Sequence, residues 1–184
     1  MRKLLSVCGW IVLLLASPTA NADEPKFPTP EKQHQWLSQF AGQWESESEA
    51  TMGPGQPPMR CKGKMNARML GGFWMVAEMK SEAMGMDMTG LLTLGYDTKK
   101  QKYVGTWVDS MQSYMWHYEG TVDESGKKII LEAEGPNFMA DNKLTKFRDT
   151  YEFKSPDQVA ITSSMLGADG KWVTFMTGEA RRKK

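Results

Sequence analysis

The chain is short of the residues from which most sites are built. Its 184 residues include two cysteines and two histidines. Cys8 lies in an N-terminal apolar stretch that reads as an export segment, so Cys61 would remain alone. No intramolecular disulfide can then form, and the fold must stand on its core. A conventional zinc site needs three or four clustered ligands, and His34, His117 and Cys61 are too scattered to supply them. Charge of one sign is missing too. The 23 basic residues fall to 21 once Arg2 and Lys3 are set aside, against 22 acidic ones. That balance gives no footing for nucleic-acid binding, and the basic end Arg181 to Lys184 reads as a solvated tail. After residue 16 no apolar run is long enough to cross a bilayer. There is no phosphate-cradling glycine loop, nucleophile elbow or metalloprotease motif.

The first residues follow the pattern of a secretory signal. Arg2 and Lys3 precede the apolar run Leu4 to Ala16, and Ala20-Asn21-Ala22 fits a small-x-small cleavage site. The expectation is a signal peptide over 1–22 and an exported protein, periplasmic or secreted. Residues 23–184 then make one domain of about 160 residues, large enough for a sizeable core.

What the sequence has in plenty is alternation. From Pro58 to Leu70, Met59, Cys61, Gly63, Met65, Ala67 and Met69 are apolar or small, while Arg60, Lys62, Lys64, Asn66 and Arg68 are polar. Neighbouring side chains on a strand point to opposite faces, so this segment has one wet and one dry face. The pattern recurs. Strands are expected at about 43–51, 58–69, 72–82, 86–95, 102–110, 113–122, 127–135, 144–154, 158–166 and 171–181, separated by turn sequences such as Gly53-Pro54-Gly55 and Ser155-Pro156-Asp157. Placing Glu49, Glu47 and Glu45 opposite Arg60, Lys62 and Lys64 gives three cross-strand pairs and fixes the register of the first hairpin. Ahead of the strands, Thr29 can cap a short helix with Pro30 at its first position. Trp36, Leu37 and Phe40 share one face of it, Gly42 ends it, and His34 is expected on its exposed side.

Parity then assigns inner rows: Phe73, Met75, Ala77 and Met79; Met84, Met86, Met88, Gly90, Leu92 and Leu94; Ile129, Leu131 and Ala133; Phe147, Asp149, Tyr151 and Phe153; Val159, Ile161, Ser163 and Met165. The strands at 102–110 and 113–122 are two-sided and cannot be assigned. About ten strands with one apolar face each predict an all-β, antiparallel meander barrel with a short N-terminal helix, closed so that no sheet edge is left. A barrel of that size has room for an internal cavity.

Gly42-Gln43-Trp44 opening the first strand after a short helix resembles the Gly-x-Trp signature of lipocalins and related β-barrel carriers. The resemblance implies that Trp44 plugs the barrel base and that Arg181 or Arg182 packs over it. The run Gly95-Tyr96-Asp97 followed by Tyr103 to Met111, together with Gly71-Gly72-Phe73-Trp74 and Arg181-Arg182-Lys183, resembles the bacterial domain-of-unknown-function family 1579. That resemblance covers nearly the whole mature chain. It implies a lipocalin-like fold and no settled activity.

Three chemistries follow from the residues. In the first, the barrel binds a small apolar or amphipathic molecule, lined by Met65, Met75, Met86, Met88, Trp107 and Trp116. Asp109 or Asp149 would orient a polar group, and Arg148, Tyr151 or Tyr114 would partner the inward carboxylate. The aromatic cluster Trp107, Tyr114, Trp116 and Tyr118 either stacks on that molecule or packs the wall. In the second, Met84, Met86 and Met88, with Cys61, offer soft sulfur ligands to copper. The third is an enzyme built on Asp109, Ser110 and His117; His117 could otherwise ligate haem iron.

Overall fold

The protein is described by a computed structural model over residues 27–51, 53, 55–83, 86–137 and 142–184. The expected signal segment and Met84 lie outside the described residues. The alternating stretches form ten strands: β1 (Gly42–Ala50), β2 (Met59–Leu70), β3 (Trp74–Ala83), β4 (Met86–Asp97), β5 (Lys102–Asp109), β6 (Trp116–Val122), β7 (Lys128–Pro136), β8 (Leu144–Ser155), β9 (Gln158–Leu166) and β10 (Trp172–Arg182). Each pairs antiparallel with its sequence neighbour, and β10 returns to β1, so the sheet is a closed barrel. Closure leaves every strand with two partners and no exposed edge.

The register of the first hairpin is the one the charges specify. Glu49 stands opposite Arg60, Glu47 opposite Lys62 and Glu45 opposite Lys64. Arg60 Nε reaches Glu49 Oε1 at 2.9 Å and Lys62 Nζ reaches Glu47 Oε1 at 3.2 Å. A slip by one residue would turn these charges inward, toward Trp44 and Ala67.

One end of the barrel is closed by the chain ahead of β1. A five-residue helix, α1 (Lys32–Trp36), runs into a 3-10 turn at Leu37–Phe40. Leu37, at 0% exposure, and Phe40 plug the end. Trp36 Nε1 ties the plug to the β6–β7 turn through Gly126 O at 2.8 Å. The helix begins later than its sequence predicts. Glu31, not Thr29, is the N-cap, because Pro30 packs against Gly72 in the β2–β3 turn before the helix starts. His34 is likewise corrected from exposed to buried: its Nδ1 accepts the Glu31 N–H at 3.0 Å. Its ring meets Phe73 and Tyr96 edge-on at 5.2 and 5.8 Å. Phe73, expected in an inner row, belongs instead to the turn before β3.

Beneath the plug lies the signature that Gly42, Trp44 and Arg182 build together. Trp44 is 1% exposed and donates its indole N–H to Phe40 O at 2.8 Å. The Arg182 guanidinium sits 4.2 Å from the centre of the Trp44 ring and donates to the carbonyls of Ala41, Gln39 and Pro156. Gly42 has φ +127°, and a Cβ there would lie 2.6 Å from Arg182 Nη1. Of the two candidate arginines, Arg182 takes this place. Arg181 points outward and pairs with Glu179.

Candidate functional site

Closure divides the interior into unlike halves. On the β6–β7 side the inward residues Trp116, Tyr118, Ile129, Leu131 and Ala133 are buried and the space is filled. Trp116 lies across Gly135, where a Cβ would come within 2.2 Å of its ring, and meets Phe147 edge-on at 4.9 Å. Trp107 lies across Gly90 in the same way. These two tryptophans occupy space that their glycine neighbours vacate, so they pack the wall.

On the opposite side the inward rows remain partly accessible above the plug. Ser46 and Ser48 on β1, Cys61, Gly63 and Met65 on β2, Met79 and Ser81 on β3, and Gly178 on β10 are all half-buried. Their side chains are small or flexible, and so the barrel is not filled there. Toward the closed end this wall runs into an apolar cavity of about 30 Å³. It is bounded by Phe40, Trp44, Met65, Met75, Met79, Leu92, Leu94, Tyr151 and Ile161, among others. That is room for little more than a water, and a lining this apolar offers it few hydrogen-bond partners.

Between the filled half and the open wall stands a polar cluster. Asp149 on β8 points inward at mid-depth, in register with Leu131 on β7 and Ser163 on β9. Tyr118 donates its hydroxyl to Asp149 Oδ2 and Ser163 donates to Oδ1, each at 2.5 Å. Desolvation raises the Asp149 carboxyl above its ordinary value, while the two hydroxyl donors pull it back down. Desolvation, followed by the neighbouring Asp149 charge, pushes both the Tyr118 and the Tyr151 phenols up. A buried carboxyl needs donors to offset its lost hydration, and here both are neutral hydroxyls. The sequence-based partners do not serve. Arg148 lies on the outer face, bonded to Glu132 and 3.9 Å from the Trp172 ring centre. Tyr114 donates to Glu134 O. Tyr151 shares the cavity wall with no hydrogen bond to the carboxylate.

The other expected site residues are dispersed. Met65 and Met75 bound the cavity. Met88 is half-buried higher on β4, and Met86 is 45% exposed at the strand's start, so neither reaches the floor. Asp109 closes the β5–β6 turn instead of anchoring a ligand: it accepts the Trp107 indole N–H at 2.8 Å and the Met111 N–H at 2.8 Å. The trio Asp109, Ser110 and His117 does not assemble. His117 is exposed on the outer face, one residue out of phase with Trp116 and Tyr118, and Ser110 Oγ accepts the Thr89 N–H. For the same reason His117 offers no ligand to a haem inside the barrel. Strand β3 separates Cys61 from Met86 and Met88, about 10 Å across the sheet, so the described sulfurs are not gathered at one point. Among the described residues no group of three or more His, Cys, Asp or Glu side chains is placed to hold a metal ion. No helix among them is long and apolar enough to cross a membrane.

Comparison with known proteins supports the same architecture. A family model described as "Protein of unknown function (DUF1579)" matches residues 29–182. No curated protein matches the chain. The solved structure of Rv2717c from M. tuberculosis is similar with a TM-score of 0.63 at 14% identity, over 85% of this chain and 100% of that one. The S-type phycobiliprotein lyase CPES from Guillardia theta is similar with a TM-score of 0.56 at 13% identity, over 85% of this chain and 99% of that one. At these identities the likeness is one of fold.

Proposed function

This chain belongs to the DUF1579 family, whose description assigns no activity, and from its geometry we propose that the barrel takes up one small amphipathic molecule through the end opposite the plug. The observation that carries this reading is Asp149, an ionisable carboxyl kept at mid-depth by two hydroxyls beside a wall that stays open. The apolar end of the molecule would run down the half-buried wall to the methionine-lined floor. The floor cavity, at about 30 Å³, is far below the roughly 300–1,000 Å³ of an ordinary ligand site. Uptake therefore requires Met65 and Met79 to swing aside. Unbranched thioethers with three rotatable bonds are suited to that, and both are already half-buried, not locked in the core. The polar end would stop at the Asp149 cluster.

A titration with the neutral fluorophore N-phenyl-1-naphthylamine tests the proposal. Saturable, one-site enhancement is expected for the wild type. Met79→Trp, which fills the floor, should weaken it by at least tenfold. Absence of saturation, or an affinity indifferent to Met79→Trp, would sink the reading. We also propose that residues 1–22 direct export and are removed, so that the domain works beyond the cytoplasmic membrane. N-terminal sequencing of the protein isolated from its cells should begin at Asp23.

A further inference from the structure

We infer that the amphiphile taken up by this barrel carries a cationic amine at its polar end, a deepening that rests on the binding reading above. The argument is an inventory of charge by face. On β2, Arg60, Lys62, Lys64 and Arg68 all lie on the outward parity and are exposed. The same parity puts Lys80, Lys102, Lys128, Lys146, Arg148, Lys154 and Arg181 outside. Arg182 has inward parity but sits beneath Trp44 at the closed end, already bonded to three carbonyls and Asp157. No lysine or arginine of the strands therefore faces the open wall. The strand acids follow the same outward parity, with two exceptions. Asp109 is committed to its turn at the rim, and Asp149 stands at mid-depth. The interior thus carries charge of one sign.

Asp149 has no cationic partner among the described residues; Tyr118 and Ser163 each donate one hydrogen bond to it. A carboxylate offers about four lone-pair sites, so acceptor capacity remains for a third donor. Tyr151, two residues along the same strand, shares the inward face of β8 with Asp149 and lines the cavity. An incoming carboxylate or phosphate would meet a like charge in a poorly solvated space. An ammonium group would complete an ion pair there and hold Asp149 in its ionised form.

Isothermal titration at pH 7 with octylamine, octanol and octanoate separates the possibilities, since the three share one tail and differ in head group. The mature protein should bind octylamine at least tenfold more tightly than octanol, and octanoate most weakly. Asp149→Asn should bring octylamine and octanol to similar affinity. Tyr118→Phe, which removes a donor but keeps the carboxyl, should preserve the preference for the amine. Octanoate binding as tightly as octylamine, or an amine preference unchanged in Asp149→Asn that retains the wild-type circular dichroism, overturns the assignment and leaves uptake standing. If none of the three binds while the naphthylamine probe does, the amine assignment is also overturned. If neither the three nor the probe binds, uptake itself falls.

Discussion

At the scale of single residues, the closed end is held by a few side chains that cannot be exchanged. Gly42 is required twice over, for its φ of +127° and for the space that Arg182 fills. Replacing it by alanine should cost about 2–4 kcal/mol of unfolding free energy in urea titrations, from backbone strain and the displaced charge-assisted hydrogen bonds. A loss below about 0.5 kcal/mol would mean that the guanidinium is not fixed there. Asp149 makes a different prediction. Its carboxyl is raised in the folded state by desolvation above the ordinary 3.8. A raised folded value gives stability that is complete below 3.8 and is lost as pH rises through the folded value. Asp149→Asn should therefore gain on the wild type as pH rises from the ordinary 3.8 into the neutral range. A difference that stays flat across that window would show that the carboxyl titrates as if solvated. The motif residues were legible because Gly-x-Trp is a local pattern. The partners of Asp149 were not. Tyr118 lies on a strand whose neighbour carries Val104, Val108 and Trp107 on both faces, and such a pattern gives no parity to read.

At the scale of elements, strands were far easier to read than the helix. Nine of the strands both begin and end within two residues of the alternation in the sequence, because one dry and one wet face leave a period of two. The sixth starts three residues late, at Trp116, since Ser113 to Met115 belong to a turn. The helix is too short for its own hydrogen bonds to specify it; its start is decided by the contact of Pro30 with a distant turn. The two kinds of element should respond differently to mutation. Leu37→Ala, at a fully buried plug position, should cost about 2–5 kcal/mol. Glu47→Lys, whose partner Lys62 is 81% exposed, should cost less than about 1 kcal/mol. Chemical denaturation of both variants checks the contrast. Comparable losses would mean that the first hairpin's charges hold more than its register.

At the scale of the whole molecule, alternation alone was enough to call for a closed ring of about ten strands, since only closure removes both edges. It was not enough to say how much of the inside is empty. Met65 and Met75 reach the cavity and Met86 does not, although all three have inward parity. Depth along the strand separates them, and depth depends on how far each strand climbs past its neighbours. The small residues Ser46, Ser48, Gly63 and Gly178 that leave the wall open carry no hydrophobic signal, so a search for apolar rows passes over them. The charge inventory was available from the same parity, but it becomes a statement about the interior only once the ring is known to close.

That ring has one join unlike the rest. Nine pairings link strands adjacent in the chain, whereas β1 and β10 bring together residues as distant as Trp44 and Arg182. Local hairpins can zip as soon as their turns form, but this seam must wait for the chain's remote ends to meet. It should therefore form last during folding and part first under stress. Gly178 lies on it, where a Cβ would stand 2.6 Å from that of Ser48. Gly178→Val should speed unfolding several-fold in stopped-flow experiments while changing the refolding rate little. The join that makes the container is thus also the place where it should first come apart.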